Sequence, residues 1–265
     1  MLKALYSSAT GMRAQETMID VTANNLANVN THGFKRSHVN FADLLYSTVR
    51  QAGTEASTGQ ELPTGLQVGS GARPVSTSKN FSPGTIQQTN NTFDIAIEGE
   101  GFFKVLMPSG EFRYTRNGAF SVDSTGRMVT PDGHILDGGI TISPDVAFDR
   151  ISIGTDGTVT GVPSGSGGNV QNFGRLQLVK FMNPAGLSSE GGNLFSITPA
   201  AGPEVLGDPA GEGFGSLRQG YLEGSNVEIV NELIALISAQ RAYEINSRAI
   251  RAGDQMLSTT SEIVR

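Results

Sequence analysis

The sequence predicts an α+β fold: a discontinuous, coiled-coil-like helical domain built from both termini, with a β-rich, hairpin-rich domain between them. Three observations predict it. At the N-terminus Leu5, Met12, Ile19 and Leu26 recur every seven residues. At the C-terminus Ile229, Leu236, Tyr243, Ile250, Leu257 and Val264 recur with the same period. The chain between them is rich in glycine and carries repeated Asn-Gly and Asp-Gly pairs. A seven-residue apolar repeat keeps one seam of a helix toward a partner helix. Asn-Gly or Asp-Gly between alternating segments is the strongest short-range hairpin signal.

Residues 2–30 read as one helix, a rod of about 40 Å at roughly 1.5 Å per residue. Ala9 and Ala23 fill alternate seam positions and Glu16 interrupts them. The run from Asn24 to Gly33, with Asn24, Asn25, Asn28 and Asn30, marks its end. Asn and Gly suit a helix that stops in a left-handed conformation. Two readings of the asparagines stand side by side. They mark a fraying end, or some are buried between helices and fix register at a cost in stability.

The segment 35–90 reads as a connector between a helical domain (1–34 with 222–265) and an outer β domain (91–221). A short apolar patch, Phe41 to Tyr46, precedes a stretch from Gln51 to Val68 rich in Gly, Thr, Ser and Gln. That stretch lacks a helical period and predicts a long loop or an extended arm, which in a compact chain is often functional.

From Phe93 to Val162 short strands alternate with turns. Phe112 and Tyr114 alternate with polar residues, Asn117-Gly118 turns the chain, and Phe120 and Val122 alternate again. Pro131-Asp132-Gly133 and Asp156-Gly157 supply further turns, and Gly165 to Gly168 reads as a loop tip. Arg175 to Phe181 predicts another strand. The last helix opens on Ser225-Asn226-Val227-Glu228, a capping box in which the Ser225 hydroxyl accepts from a helical N–H while Glu228 reaches back. On its seam small or polar residues (Ala239, Asn246, Gly253, Thr260) separate the large ones and admit a close neighbour. Gly253 weakens the helix by about 1 kcal/mol relative to Ala and marks a place where it can break. The stripes are narrower than a helix packed on its own domain needs. They predict packing of the two ends on each other and on neighbouring copies.

Composition excludes several functions. With no cysteine among 265 residues, disulfides, thiolate nucleophiles and Cys metal sites are ruled out. Glycine, 34 of 265 against an average of about 7%, signals many turns. A net charge of −6 without a Lys/Arg block argues against nucleic acid or an anionic membrane as partner. The start, Met1 to Ser7, lacks the apolar core of a secretory signal. The longest apolar run, Leu233 to Ile237, is far short of a membrane span. By default the expected location is cytoplasmic, unless the chain leaves by a route needing no cleaved peptide. His32, His38 and His134 show no metal spacing. Asp94, Glu98 and Glu100 read as a solvated strand face, not an acid/base pair. Gly99-Glu100-Gly101 and Gly211 to Gly215 match neither a phosphate loop nor a dinucleotide fingerprint. No catalytic residue, cofactor or metal is expected.

The run Ala23 to Lys35, with Asn24, Asn25, Leu26, Asn28, Gly33, Phe34 and Lys35 at the motif positions, closely resembles the signature of the bacterial flagellar axial proteins, the rod and hook family. Gln240-Arg241-Ala242-Tyr243-Glu244-Ile245-Asn246-Ser247 resembles that family's other terminal motif. Phe41 to Tyr46, Gly99-Glu100-Gly101-Phe102-Phe103 and Tyr114-Thr115-Arg116-Asn117-Gly118-Ala119-Phe120 are similar too, so the resemblance covers the whole chain. It implies a helical homopolymer: a straight, hollow shaft across the periplasm. The terminal helices would line an export channel, with Leu236, Tyr243, Ile250 and Leu257 making inner contacts. The implied partners are proximal rod proteins, hook protein, the ring bushing of the peptidoglycan and outer-membrane layers, and the flagellar type III export apparatus. The termini would be disordered in a lone monomer, because a single heptad helix has nothing to bury. Within the family, length and the segment Gln51 to Val68 (Gln51, Leu62, Pro63, Gly65, Val68) point to the distal rod, with that segment bridging subunits. The hook or proximal rod is the alternative. A peptidoglycan-binding or wall-active module is a reading from another class, poorly supplied by a chain with no Trp and five scattered Tyr.

Overall fold

Leu2–Ala27 forms helix α1 and Ile229–Ile263 helix α2. The computed structural model describes residues 2–53, 55–57, 60–61, 63–143, 146–163 and 170–263; the predicted positions Leu62 and Val264 and the loop tip Gly165 to Gly168 lie outside them. The chain divides into two units. One comprises Met1–Ala27, Ser37–Ser78 and Glu228–Arg265, the other Asn28–Arg36 and Lys79–Val227. The helical unit thus takes in most of the segment that the sequence sets apart as a connector, and the β unit claims Asn28–Arg36.

In the helical unit α1 and α2 run antiparallel, and three contacts fix the register. Asn25 Nδ2 donates to Glu232 Oε2 at 3.1 Å, Gly11 lies against the Asn246 side chain, and Gly253 lies against Leu5. A Cβ at Gly253 would fall 2.6 Å from Leu5 Cδ2, so the glycine seats the end of the Leu5 side chain against the α2 backbone. This close approach recentres the predicted seam. The buried line of α2 is Glu232, Ala239 and Gly253, with Asn246 half-buried, while Leu236, Ile250 and Leu257 flank it half-buried. Ile229 and Tyr243, predicted inside, are 48% and 41% exposed. Small residues occupy the axis because large ones would force the helices apart. On α1, Ala14, Thr22 and Asn25 are buried, with Leu5, Met12, Ile19 and Leu26 half-buried beside them. α2 runs unbroken through Gly253.

The predicted capping box does not form. The helix starts at Ile229, with Glu232 N–H donating to the Glu228 carbonyl at 3.0 Å, which puts Glu228 at the cap position. Ser225 Oγ instead accepts from Val227 N–H at 3.3 Å. The reason is Asn226, whose side chain accepts from Arg36 N–H at 2.7 Å and donates to the Asn80 carbonyl at 2.8 Å. Residues 225–227 are held in the β unit and cannot wind into the helix.

Of the two expected forms, a long loop or an extended arm, the structure shows the second, as a ribbon. Strands β1 (Ser37–Asp43), β2 (Tyr46–Arg50), β3 (Glu55–Ser57), β4 (Gln60–Glu61), β5 (Leu66–Gly69) and β6 (Ala72–Lys79) nest as one long hairpin: β1 beside β6, β2 antiparallel to β5, β3 antiparallel to β4. Gln51, Pro63, Gly65 and Val68 are exposed along it. Val39 at its base is buried.

The β unit contains β7 (Ile86–Gln88), β8 (Ile95–Glu98), β9 (Phe103–Leu106), β10 (Phe112–Thr115), β11 (Ser121–Val122), β12 (Met128–Val129), β13 (Ile135–Leu136), β14 (Val146–Ile153), β15 (Thr158–Pro163), β16 (Gln171–Arg175), β17 (Leu178–Lys180), β18 (Ser188–Gly191), β19 (Leu194–Ser196), β20 (Val205–Gly207), β21 (Ser216–Gln219) and β22 (Tyr221–Glu223). Its main sheet has the order β11-β12-β13-β9-β10-β19-β18. The strand predicted over Arg175 to Phe181 is the end of β16 followed by β17. Asn117-Gly118 does not close a hairpin: β10 pairs with β9 and β19, β11 with β12. The Gly118 carbonyl accepts from Ile95 N–H at 3.0 Å, so the turn serves a crossing to β8. Nor is the acidic face solvated throughout. β8 is buried at Ile95, Ala96 and Ile97, and Asp94 is buried and accepts from Asn91 at 3.0 Å. Phe102 and Phe103, pointing to opposite sides of one strand, feed two separate apolar clusters. Phe103 joins Ile95, Val105 and Phe120; Phe102 joins Tyr114, Phe181 and Phe195.

Candidate assembly interface

Asn25 is the motif asparagine buried between the helices. Its Oδ1 accepts from Ser37 N–H and its Nδ2 donates to the Ser37 carbonyl, both at 2.9 Å, besides its bond to Glu232. One side chain therefore sets the register of α1 against α2 and against the first ribbon strand. Asn24 is exposed, while Asn28 accepts from the Thr31 hydroxyl at 3.2 Å in the turn that ends α1.

After this pairing α2 still presents a second apolar line. Val230, Leu233, Ile234 and Ile237, spaced three and four apart on one helix face, are all exposed. The ribbon adds Leu45, Tyr46, Val49, Leu66 and Val68, also exposed. Exposed apolar residues gathered on one helix face mark a candidate interaction site.

The rest of the terminal motif lies in the β unit. Gly33 has φ +72°, and a Cβ there would fall 2.6 Å from the Asn117 nitrogen, so only glycine fits. Phe34 is buried beneath Lys79, whose Nζ stands 5.0 Å from the ring centroid, a cation–π geometry. Lys35 is fully buried, and its Nζ donates to Glu223 Oε1 at 2.6 Å and to the Ser82 carbonyl at 2.8 Å. Arg116 Nη1 reaches Glu223 Oε2 at 3.3 Å, its Nη2 donates to the Gly99 carbonyl at 2.8 Å, and Gly84 N–H donates to Glu223 Oε1 at 2.9 Å. Burial pulls the Lys35 ammonium and the Arg116 guanidinium below their ordinary pKa values, with Glu223 opposing in both cases. Three segments are tied here by backbone and side-chain bonds. Gly33 N–H donates to the Glu223 carbonyl, Asn80 N–H to the Arg36 carbonyl, and Gly224 N–H to the Thr85 carbonyl, at 2.8, 2.8 and 2.7 Å.

Sequence reasoning missed Glu223, Glu232 and the role of Arg116. The available signal was chemical: Lys35 follows Gly33-Phe34, and Arg116 follows Tyr114-Thr115, inside buried segments. Two such cations need a carboxylate. Nothing in the local pattern of Tyr221-Leu222-Glu223 identifies which one.

Beside Arg116 opens a cavity of about 550 Å³, with Phe81, Phe102, Phe181, Met182 and Lys180 among its lining.

Known families match these same parts. A family described as flagella basal body rod protein matches residues 5–35, flagellar hook protein FlgE/F/G D1 domain matches 96–161, and flagellar basal body rod FlgEFG protein C-terminal matches 218–263. The chain is 43% identical over 265 residues to the flagellar basal-body rod protein FlgG of Borreliella burgdorferi, covering 100% of both. It is 45% identical over 263 residues to that of Buchnera aphidicola subsp. Schizaphis graminum, covering 99% of this chain and 100% of the relative. To that of Caulobacter vibrioides it is 45% identical over 263 residues, 99% of each. With its terminal motifs on the paired helices and beside the buried Lys35, and with relatives matching from end to end, the chain belongs to the flagellar basal-body rod protein family.

Proposed function

We propose that this chain is the structural subunit of the distal rod, polymerising helically into a straight, rigid, hollow shaft that transmits motor torque to the hook. The observation that carries the reading is the exposed line Val230, Leu233, Ile234 and Ile237 on α2. The helix has already paired with α1 and still presents apolar surface that a second copy would cover. In the polymer α1 and α2 form the inner tube around an export channel, and the β unit faces the ring bushing. The neighbours along the shaft are proximal rod proteins and hook protein. Export proceeds through the type III apparatus into the periplasm. Among the described residues no helix is long and apolar enough to cross a membrane.

Leu236, Ile250 and Leu257, with exposed Tyr243, supply inner packing. The ribbon from Gln51 to Val68, exposed at Gln51, Pro63, Gly65 and Val68, bridges neighbouring subunits and resists bending. Deleting residues 51–68 tests this by electron microscopy of the polymer. The deletion is expected to give shafts that bend or supercoil; straight shafts of unchanged stiffness would sink the stiffening role.

A further inference from the structure

Two family motifs, Gly99 to Phe103 and Tyr114 to Phe120, take no part in helix pairing, yet both reach the cavity beside Arg116. Phe102 forms its wall with Phe81 and Phe181, edge to face at centroid distances of 5.3 and 5.8 Å. Met182 stands at the rim, 92% exposed, and Lys180 is paired there with Glu100. Behind the wall Arg116 joins Lys35 and Glu223. Across this network the cations Lys35, Arg116 and Lys180 meet the carboxylates Glu100 and Glu223, which leaves one positive charge in excess. The Arg116 Nε is buried with no hydrogen-bond partner. An aromatic recess with surplus positive charge fits an apolar side chain accompanied by a carboxylate.

The chain presents that combination on its own surface. Where β1 turns into β2, Leu45 projects 87% exposed, two residues after Asp43, which is also exposed. Leu45 and Met182 are both among the most exposed large apolar side chains. We propose that the Asp43–Leu45 corner of one copy seats in the cavity of a second copy, with Leu45 against Phe81, Phe181 and Met182 and the Asp43 carboxylate toward Lys180 and Arg116. This contact rests on the polymer reading above and adds a defined head-to-socket pairing that the helices do not supply.

The absence of cysteine from the chain makes the test clean. Leu45→Cys and Met182→Cys, both at nearly bare positions, are introduced in separate full-length chains, mixed, polymerised and oxidised. The expected result is a disulfide-linked dimer in the mixture and in neither variant alone. Adding Asp43→Asn to the Leu45→Cys chain is expected to lower the yield several-fold at low salt. Polymer without the cross-link overturns the contact while leaving the shaft reading in place; no polymer from the unaltered chain overturns both. Met182→Cys chains that link only to each other show a different occupant and overturn the pairing.

Discussion

At the level of single residues, the charge balance around Glu223 decides how each replacement is felt. Glu223 accepts from Lys35, Arg116 and Gly84 N–H and is fully buried. Removing one partner of a buried ion pair costs about 3–5 kcal/mol, because the other charge is left uncompensated. Glu223→Gln leaves two buried cations and is expected to cost that much. Lys35→Met leaves Arg116 and Glu223 in balance and removes an ammonium that burial already disfavours, so it should cost less. Urea unfolding of the two full-length variants gives the order, and a larger loss from Lys35→Met would show that surplus charge does not govern this site. The sequence was partly legible at this scale. Of the two readings of the four asparagines, burial of some of them between the helices holds for Asn25. Glu223 left no trace, since its partners Lys35 and Arg116 lie 188 and 107 positions away.

Among elements, the helices were legible because a seven-residue period survives in the sequence whatever the partner. Their seam was legible in part. Of the large residues in the repeat, Ile229 and Tyr243 are exposed, whereas the small seam positions that the sequence also marks, Ala239 and Gly253, are the buried ones. Replacing Gly253 tests that seam. A Cβ meets only the flexible end of Leu5, and helix propensity returns about 1 kcal/mol, so Gly253→Ala should be nearly neutral. Gly253→Val puts a branched side chain at the closest approach and is expected to cost about 1–3 kcal/mol, read as earlier loss of the 222 nm helical signal on heating. An unchanged melt would show that the helices can separate there freely. The ribbon was legible only as a loop or an extended arm, and its strands were not. Both faces of β2 and β5 are largely exposed, so no face is reserved for apolar residues and the two-residue alternation that betrays a strand is missing.

For the whole molecule, the surface proposed for assembly is distinct from the surfaces that folding buries, and the two should therefore separate. Ile234 is 58% exposed in the folded chain, so Ile234→Glu should shift stability by no more than about 0.5 kcal/mol. In a polymer the same carboxylate would be buried without a partner. Sedimentation velocity is expected to find only monomer for this variant, and polymer of normal size would remove the α2 stripe from the interface. The chain passes between its two units four times, at Ala27–Asn28, Arg36–Ser37, Ser78–Lys79 and Val227–Glu228. The segments on the β side of these passages are bonded to one another through Arg36, Asn80, Glu223 and Asn226. Entrance and exit of the β unit are thus clasped together within the unit itself. A body whose ends are already joined can be enlarged, trimmed or exchanged for another without asking the helices to change, and one pair of helices can carry many different exteriors.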